Sequence, residues 1–243
     1  MISYEEFYQV LHTVMADNGQ GRFDTESSSR KLFLLTEHLI EVSKVMNLTA
    51  IKEEKAIILK HLADSLSVAD FLPENAKMID VGCGAGFPCL PLAICRPDLT
   101  ITALDSTEKR VRYVSETAKL LELQNLTGIA ARAEEAGKGA LRESFDICVA
   151  RAVAELPILA ELCLPFVQVG GKFLAMKASR APEELEKART AITNLGGKVT
   201  AVHNIVLQGN GEEESRVIVE IQKVSCTPAN LPRPFAKILK KPL

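Results

Sequence analysis

The sequence predicts an α/β fold: a Rossmann-like seven-stranded mixed sheet that closes with an antiparallel hairpin and is preceded by a helical extension. Three observations lead there. After Pro73, short β-rich runs alternate with helical stretches, as parallel strands covered by helices do. Near the end, Val199 to Leu207 and Arg216 to Val224 are joined only by Gly209, Asn210, Gly211 and three glutamates. That link is too short for a crossover helix, so the pair is antiparallel. Before Pro73, the apolar residues fall at helical spacing.

Taken in order, Phe7, Val10, Leu11 and Val14 form a first helical stripe, and Leu32, Leu35, Leu39, Val42 and Met46 a second. Gly19, Gly21 and Ser27 to Ser29 separate them. A third stripe, Ile57, Ile58, Leu62 and Leu66, ends before Pro73, whose ring stops a helix. Strands are predicted at Met78 to Val81, Thr100 to Leu104, Thr127 to Ala131, Asp146 to Ala150 and Lys172 to Met176. The clearest helix between them is Glu108 to Leu121, with Val111, Val114, Ala118 and Leu121 on one face. The tail holds Pro228, Pro232, Pro234 and Pro242, too many for sheet or long helix. The divisions are a helical region at 1–76, the sheet domain at 77–225 and a basic proline-rich tail at 226–243.

Composition bounds the function. With 243 residues, 47% hydrophobic and 25% charged, the chain is globular and needs no covalent staple. The formal charge of −2 argues against an overall basic coat for nucleic acid. It conceals a tail with four basic and no acidic residues: Arg233, Lys237, Lys240 and Lys241. That tail reads either as a flexible end or as a few phosphate contacts. Glu5 and Glu6 stand where a signal peptide would be basic, and Arg151, Glu155 and Glu161 interrupt the most apolar stretch, so neither secretion nor a membrane span is expected. The cysteines at 83, 89, 95, 148, 163 and 226 form no C-x-x-C pair, as expected of reduced thiols in a cytoplasmic protein.

The chemistry centres on Gly82-Cys83-Gly84-Ala85-Gly86, which follows the strand Met78 to Val81 and so lies at the carboxyl edge of the sheet, where such folds bind ligands. Glycines there let the backbone turn sharply and approach a ligand. Asp105 ends the next strand, placed to accept the ribose hydroxyls of a nucleoside. A dinucleotide fingerprint would need glycine at 87, where Phe87 stands. G-x-G-x-G after a strand and a closing hairpin instead resemble class I S-adenosylmethionine-dependent methyltransferases.

More specific motifs occur in order along the chain: Asn47-Leu48-Thr49-Ala50-Ile51, His61-Leu62-Ala63-Asp64-Ser65-Leu66, Asp80 to Pro88, Leu104-Asp105-Ser106 with Lys109-Arg110, Arg132-Ala133-Glu134-Glu135, and Ala150-Arg151-Ala152-Val153-Ala154. From about Arg30 to Leu243 the chain resembles the bacterial small-subunit ribosomal RNA guanine-N7 methyltransferases, the glucose-inhibited division protein B family. The resemblance implies methyl transfer from S-adenosylmethionine, yielding S-adenosylhomocysteine, to N7 of one guanine in the decoding region of 16S ribosomal RNA, naked or within the small subunit. It carries the family's cofactor positions onto Gly82, Phe87, Ala133, Glu134 and Arg151. Gly84 joins them as part of the loop, and Asp105 by the ribose argument. Three positions depart from the family pattern: Cys89 and Ala178 replace glycines, and Val42 stands at the place of a tryptophan.

Guanine N7 has a lone pair and no proton to lose, so alignment rather than a general base is expected, with Arg151 as the positioning residue. Its bland alternative is an ion pair with Glu155 four residues on. Asn47, Thr49, His61 and Asp64 either face RNA or seat the helical region on the sheet, the second being favoured; His61 and Asp64 would pair on one helix. Asn47, His61, Arg233, Lys237, Lys240 and Lys241 are the RNA-binding candidates. No metal site is expected, since the His/Asp pair lacks a third ligand. The glutamates at 212–214 read as a solvated hairpin tip, and the chain as a monomer. A methyltransferase acting on protein or small molecules and a non-enzymatic cofactor-binding module are the rival readings; the motifs outside the loop argue against the first.

Overall fold

A computed structural model describes residues 2–178, 181–209 and 211–243. Met1 of the N-terminal reading and Asn210 of the hairpin link lie outside the described residues. Helix α1 (Tyr4–Asp17) starts where the Ser3 hydroxyl accepts the Glu6 N–H and buries Phe7, Leu11, Val14 and Met15. Helix α2 (Glu26–Ser43) opens on a reciprocal capping box between Thr25 and Ser28. It stops short of Met46, which lies beyond the Lys44 cap. The third stripe forms α3 (Glu54–Ile57), a π-helical turn at Ile58–Ala63 and α4 (Asp64–Leu66).

The sheet follows: β1 (Lys77–Val81), α5 (Cys89–Cys95), β2 (Thr100–Asp105), α6 (Glu108–Leu120), β3 (Leu126–Ala130), α7 (Ala133–Ala136), β4 (Phe145–Arg151), α8 (Leu156–Cys163), β5 (Val167–Lys177), α9 (Ala181–Asn194), β6 (Gly197–Gly209), β7 (Glu212–Lys223) and α10 (Phe235–Lys240). Strand order is β3-β2-β1-β4-β5-β7-β6, parallel except where β7 pairs with β5 and β6. The order reverses between β1 and β4, the switch point outside which such sheets bind ligands.

Both faces of the middle of the sheet are covered, so the central strands β1 and β4 are buried on both sides. Ile147, Val149, Leu174 and Met176 pack with α1, α2, α3 and α5 in one core. Cys148, Ala150, Phe173 and Ala175 pack with α8 and α9 in the other. The N-terminal helices therefore cover sheet surface directly, in the same core as the strands.

Two expectations are corrected. The glutamates at 212–214 are no hairpin tip: they belong to β7, opposite Gly209, Gln208 and Leu207. The ladder bonds carry the backbone, and Glu214 lies between Lys60, at 3.1 Å, and Arg216, at 3.0 Å. The tail is no loose end either. Arg142 donates to the carbonyls of Thr227 (2.6 Å) and Leu231 (2.8 Å), and Ile238 of α10 is fully buried. Arg233 is not presented to phosphates. Its backbone N–H (2.8 Å) and its guanidinium (2.6–3.2 Å) all bond the Glu161 carboxylate, which is wholly buried. A buried carboxylate requires such a partner, and tail geometry supplies it. Among the described residues, no helix is long and apolar enough to cross a membrane.

Candidate active site

The glycine loop leaves β1 and is pinned at once to the neighbouring strand: Gly82 and Cys83 donate their N–H groups to the Leu104 carbonyl at 2.7 and 3.0 Å. Gly82, Gly84 and Gly86 take φ of 77°, 54° and 88°, the left-handed region that disfavours side chains. The Asp105 carboxylate holds the loop from below, accepting the Gly84 N–H at 3.0 Å and the Thr107 N–H at 2.8 Å. At Gly86 there is also no room, since an added Cβ would lie 2.2 Å from Leu90 Cδ1. Gly86→Ala should therefore cost about 2–3 kcal/mol of stability, overpacking and backbone strain together. Urea unfolding checks it; a loss under ~0.5 kcal/mol, the ordinary surface range, would contradict it.

Above the loop, a cavity of about 380 Å³ runs along the carboxyl edge of the sheet. Every sequence-predicted cofactor residue lines it: Gly82, Gly84 and Phe87 of the loop, Asp105 after β2, Ala133 and Glu134 after β3, and Arg151 after β4. His61 joins them from the π-helical turn. Since β3, β2, β1 and β4 are neighbours in that order, Arg151 and Glu134 lie toward opposite ends, with Asp105 between. Three strand spacings of about 4.8 Å make that span roughly 14 Å. Asn47, Arg233, Lys237, Lys240 and Lys241 do not line the cavity. Asn47 and the three lysines are exposed.

At the Arg151 end, the expected pairings give way to others. Arg151 does not pair with Glu155 in the manner of helix neighbours, because the two share no helix: β4 ends at Arg151 and α8 begins at Leu156. Arg151 instead reaches across to the N-terminal helices, donating from Nη1 to Asp64 Oδ2 at 2.6 Å and to the Lys60 carbonyl at 3.2 Å. The π-helical turn makes that carbonyl available. The Asp64 N–H goes to the Leu59 and His61 carbonyls, leaving Lys60 O for Arg151. Asp64 pairs with Arg151 and with Arg216 (2.9 Å) rather than with His61. Next to Arg151, Ala152 takes φ 55°, strain of the kind that collects where function demands a side-chain direction.

His61 stacks on Phe87, centroids 4.6 Å apart and rings 16° from parallel, and its Nε2 lies 2.8 Å from Thr49 Oγ1. Burial, and then the Arg151 cation, lower its pKa from 6.5 to about 4, so it is neutral at neutral pH. Arg151 Nη2 faces Nδ1 at 3.5 Å, so Nδ1 is the acceptor and Nε2 carries the proton. A second cavity of about 430 Å³ adjoins the first, sharing His61, Arg151 and Ala152 and adding Lys60, Lys177 and Arg216. Ala178 lines it too. Cys89 heads α5, fully buried, and its N–H goes to Asp80 Oδ2 at 3.2 Å. At Val42, half-buried beside the core, nothing in the structure explains the missing tryptophan.

Asp80 is buried beneath the loop, and burial raises its pKa from 3.8 to about 7. The folded state thus holds a proton that the unfolded chain releases, so Asp80 contributes stability below pH 3.8 that is lost as pH rises to about 7. His61 works in the opposite sense: its contribution is present above pH 6.5 and is lost as pH falls toward 4. Over the shared window the two oppose each other. Asp80→Asn removes one, so the unfolding free energy of the variant should rise with pH from 4.5 to 6.5 more steeply than that of the wild type. The slopes should differ by up to ~1.4 kcal/mol per pH unit. Equal slopes in chemical denaturation would refute the protonated carboxyl.

The architecture matches solved methyltransferase-fold structures. TYW2 from M. jannaschii, in complex with AdoMet, superposes with a TM-score of 0.54 at 17% identity, covering 66% of this chain and 75% of that one. Trm5b from Pyrococcus abyssi gives 0.51 at 17%, over 68% and 49%. Sheet order, closing hairpin and glycine loop define the class: a class I S-adenosylmethionine-dependent methyltransferase fold. Within it, the chain belongs to the GidB family, rRNA small subunit methyltransferase G, whose model matches residues 28–214. Relatives named ribosomal RNA small subunit methyltransferase G include those of Geobacillus thermodenitrificans, 45% identical over 85% of this chain and 87% of theirs, and Clostridium perfringens, 41% over 90% and 92%.

Proposed function

We propose that the chain transfers the methyl group of S-adenosylmethionine to N7 of one guanine in the decoding region of 16S ribosomal RNA, leaving S-adenosylhomocysteine. The observation that carries this reading is the family match across residues 28–214, which spans the glycine loop, Asp105, Glu134 and Arg151 around one cavity. The cavity suits the cofactor. A Cβ on Gly84 would meet nothing nearer than the Gly82 carbonyl, 3.9 Å away, so the loop leaves open space that a ligand can approach closely. Asp105, with two lone pairs on each oxygen and one backbone donor on each, retains acceptor capacity for ribose hydroxyls.

When bound, S-adenosylmethionine supplies an electrophilic methyl group on a cationic sulfur. Guanine N7 presents a lone pair and loses no proton, so no side chain has to act as general base, and the neutral His61 is under no such demand. The residues' task is alignment, which is worth up to ~7–11 kcal/mol in favourable cases. Arg151 is fixed by Asp64 and Lys60, and the rest of its fork hydrogen-bonds guanine O6 where the two cavities meet. The stacked Phe87 and His61 rings offer a flat wall for the purine. Asn47, Lys237, Lys240 and Lys241 contact the RNA beyond the pocket. So few phosphate contacts imply a shallow salt dependence, with selectivity coming from RNA shape.

The enzyme acts in the cytoplasm, as a monomer, on the small-subunit RNA, free or assembled. Tritiated methyl transfer to small subunits, intact ribosomes and bulk protein tests the reading. Label should enter RNA of the small subunit; label confined to protein, or absent from every acceptor, would overturn it.

A further inference from the structure

The tail after Lys223 lies outside the residues matched by the family model, yet it returns to the cavity. Phe235, the first residue of α10, lines that cavity together with Leu162 of α8. Its position is set from several directions. The Arg233 to Glu161 ion pair fixes the chain two residues before it, Ile238 anchors the helix three residues after it, and the Arg132 guanidinium lies 6.0 Å from its ring centre. Arg132 in turn lies 3.6 Å from Glu134, so the ring sits at the β3 end of the cavity, far from Arg151. Phe235 is only half-buried, an aromatic ring with part of its surface turned to the cavity.

We infer that Phe235 is a cofactor-binding residue: it packs on the adenine ring of S-adenosylmethionine and makes the C-terminal tail a wall of the cofactor pocket. The inference rests on reading this cavity as the cofactor site. Asp105 in the middle takes the ribose, and the methyl group must lie at the Arg151 end, where the second cavity opens. The base is therefore left at the Ala133 and Glu134 end, against Phe235. An aromatic ring there gives a nucleobase a stacking partner.

The chain contains no tryptophan, so F235W introduces a single tryptophan, excited selectively near the red edge of tyrosine absorption, at the position in question. Calorimetric titration of the full-length wild type, Phe235→Ala and Phe235→Leu with S-adenosylmethionine and S-adenosylhomocysteine should show Kd raised about tenfold for Ala and less for Leu, which restores apolar area without a ring. F235W should bind like the wild type and change its emission saturably with either ligand and with adenosine. A wild type that fails to bind S-adenosylmethionine would overturn the cofactor reading itself. A wild type that binds, with Phe235→Ala affinity unchanged or F235W emission unmoved at saturation, would overturn the role of Phe235 alone.

Discussion

Arg151→Ala should lower methyl transfer by about a hundredfold or more at saturating cofactor while leaving the protein folded, a loss of roughly 3 kcal/mol of transition-state stabilisation. Among the described residues, the guanidinium is the one charged group shared by both cavities, and a buried carboxylate holds it. On the proposed reading its removal deletes the group that fixes the acceptor base, and a small misplacement at the reacting centre can cost ~100-fold in rate. Losing one partner of a buried ion pair usually costs ~3–5 kcal/mol, but that cost is reduced where the carboxylate keeps another partner. Asp64 keeps Arg216 at 2.9 Å, so the variant should remain folded. Arg151→Lys should recover little, because an ammonium cannot hold Asp64 and present a planar fork at once. Steady-state kinetics on small subunits from cells lacking the enzyme checks this; wild-type turnover in Arg151→Ala would remove Arg151 from the mechanism.

Arg233→Ala should have the largest effect on stability, about 3 kcal/mol, near the lower end of what breaking a buried ion pair costs. Glu161 is wholly buried, and among the described residues the Arg233 side chain supplies three of the four hydrogen bonds to its carboxylate, the backbone N–H of residue 233 the fourth. For a chain of this size that is a fall in Tm of roughly 6–12 °C, at about 2–4 °C per kcal/mol. Adding Glu161→Leu should restore part of the loss by removing the stranded charge. A Tm for Arg233→Ala within a degree of wild type would mean that the ion pair is not what anchors the tail.

The difference between the two arginines also marks how far sequence reached. Strands such as Met78 to Val81 and the helix at Glu108 were legible because periodicity is local, and the glycine loop because its geometry depends on neighbouring residues. Gly82, Phe87, Ala133, Glu134 and Arg151 were legible through the family resemblance and Asp105 through the ribose argument; they line one cavity because each follows the end of one of four adjacent strands. The partners of those residues were hidden. Asp64 is 87 residues from Arg151 and 152 from Arg216, and nothing in the π-helical turn's apolar pattern distinguishes it from an α-helix. Glu214 and Glu161 read as surface charge and core interruption until the fold sets Lys60 and Arg233 against them. Phe235 was hidden for the same reason: a proline-rich tail has no periodicity from which its return to the sheet edge could be read.

The central claim is methylation of guanine N7 in small-subunit RNA, and mass spectrometry of that RNA with and without this protein tests it most directly. The account predicts one N7-methylguanosine in the decoding region that appears in cells carrying the gene, is absent from cells lacking it, and is restored by the wild type but not by Arg151→Ala. An identical modification profile in both RNAs, or a methyl group gained on another atom or in another region, would contradict it.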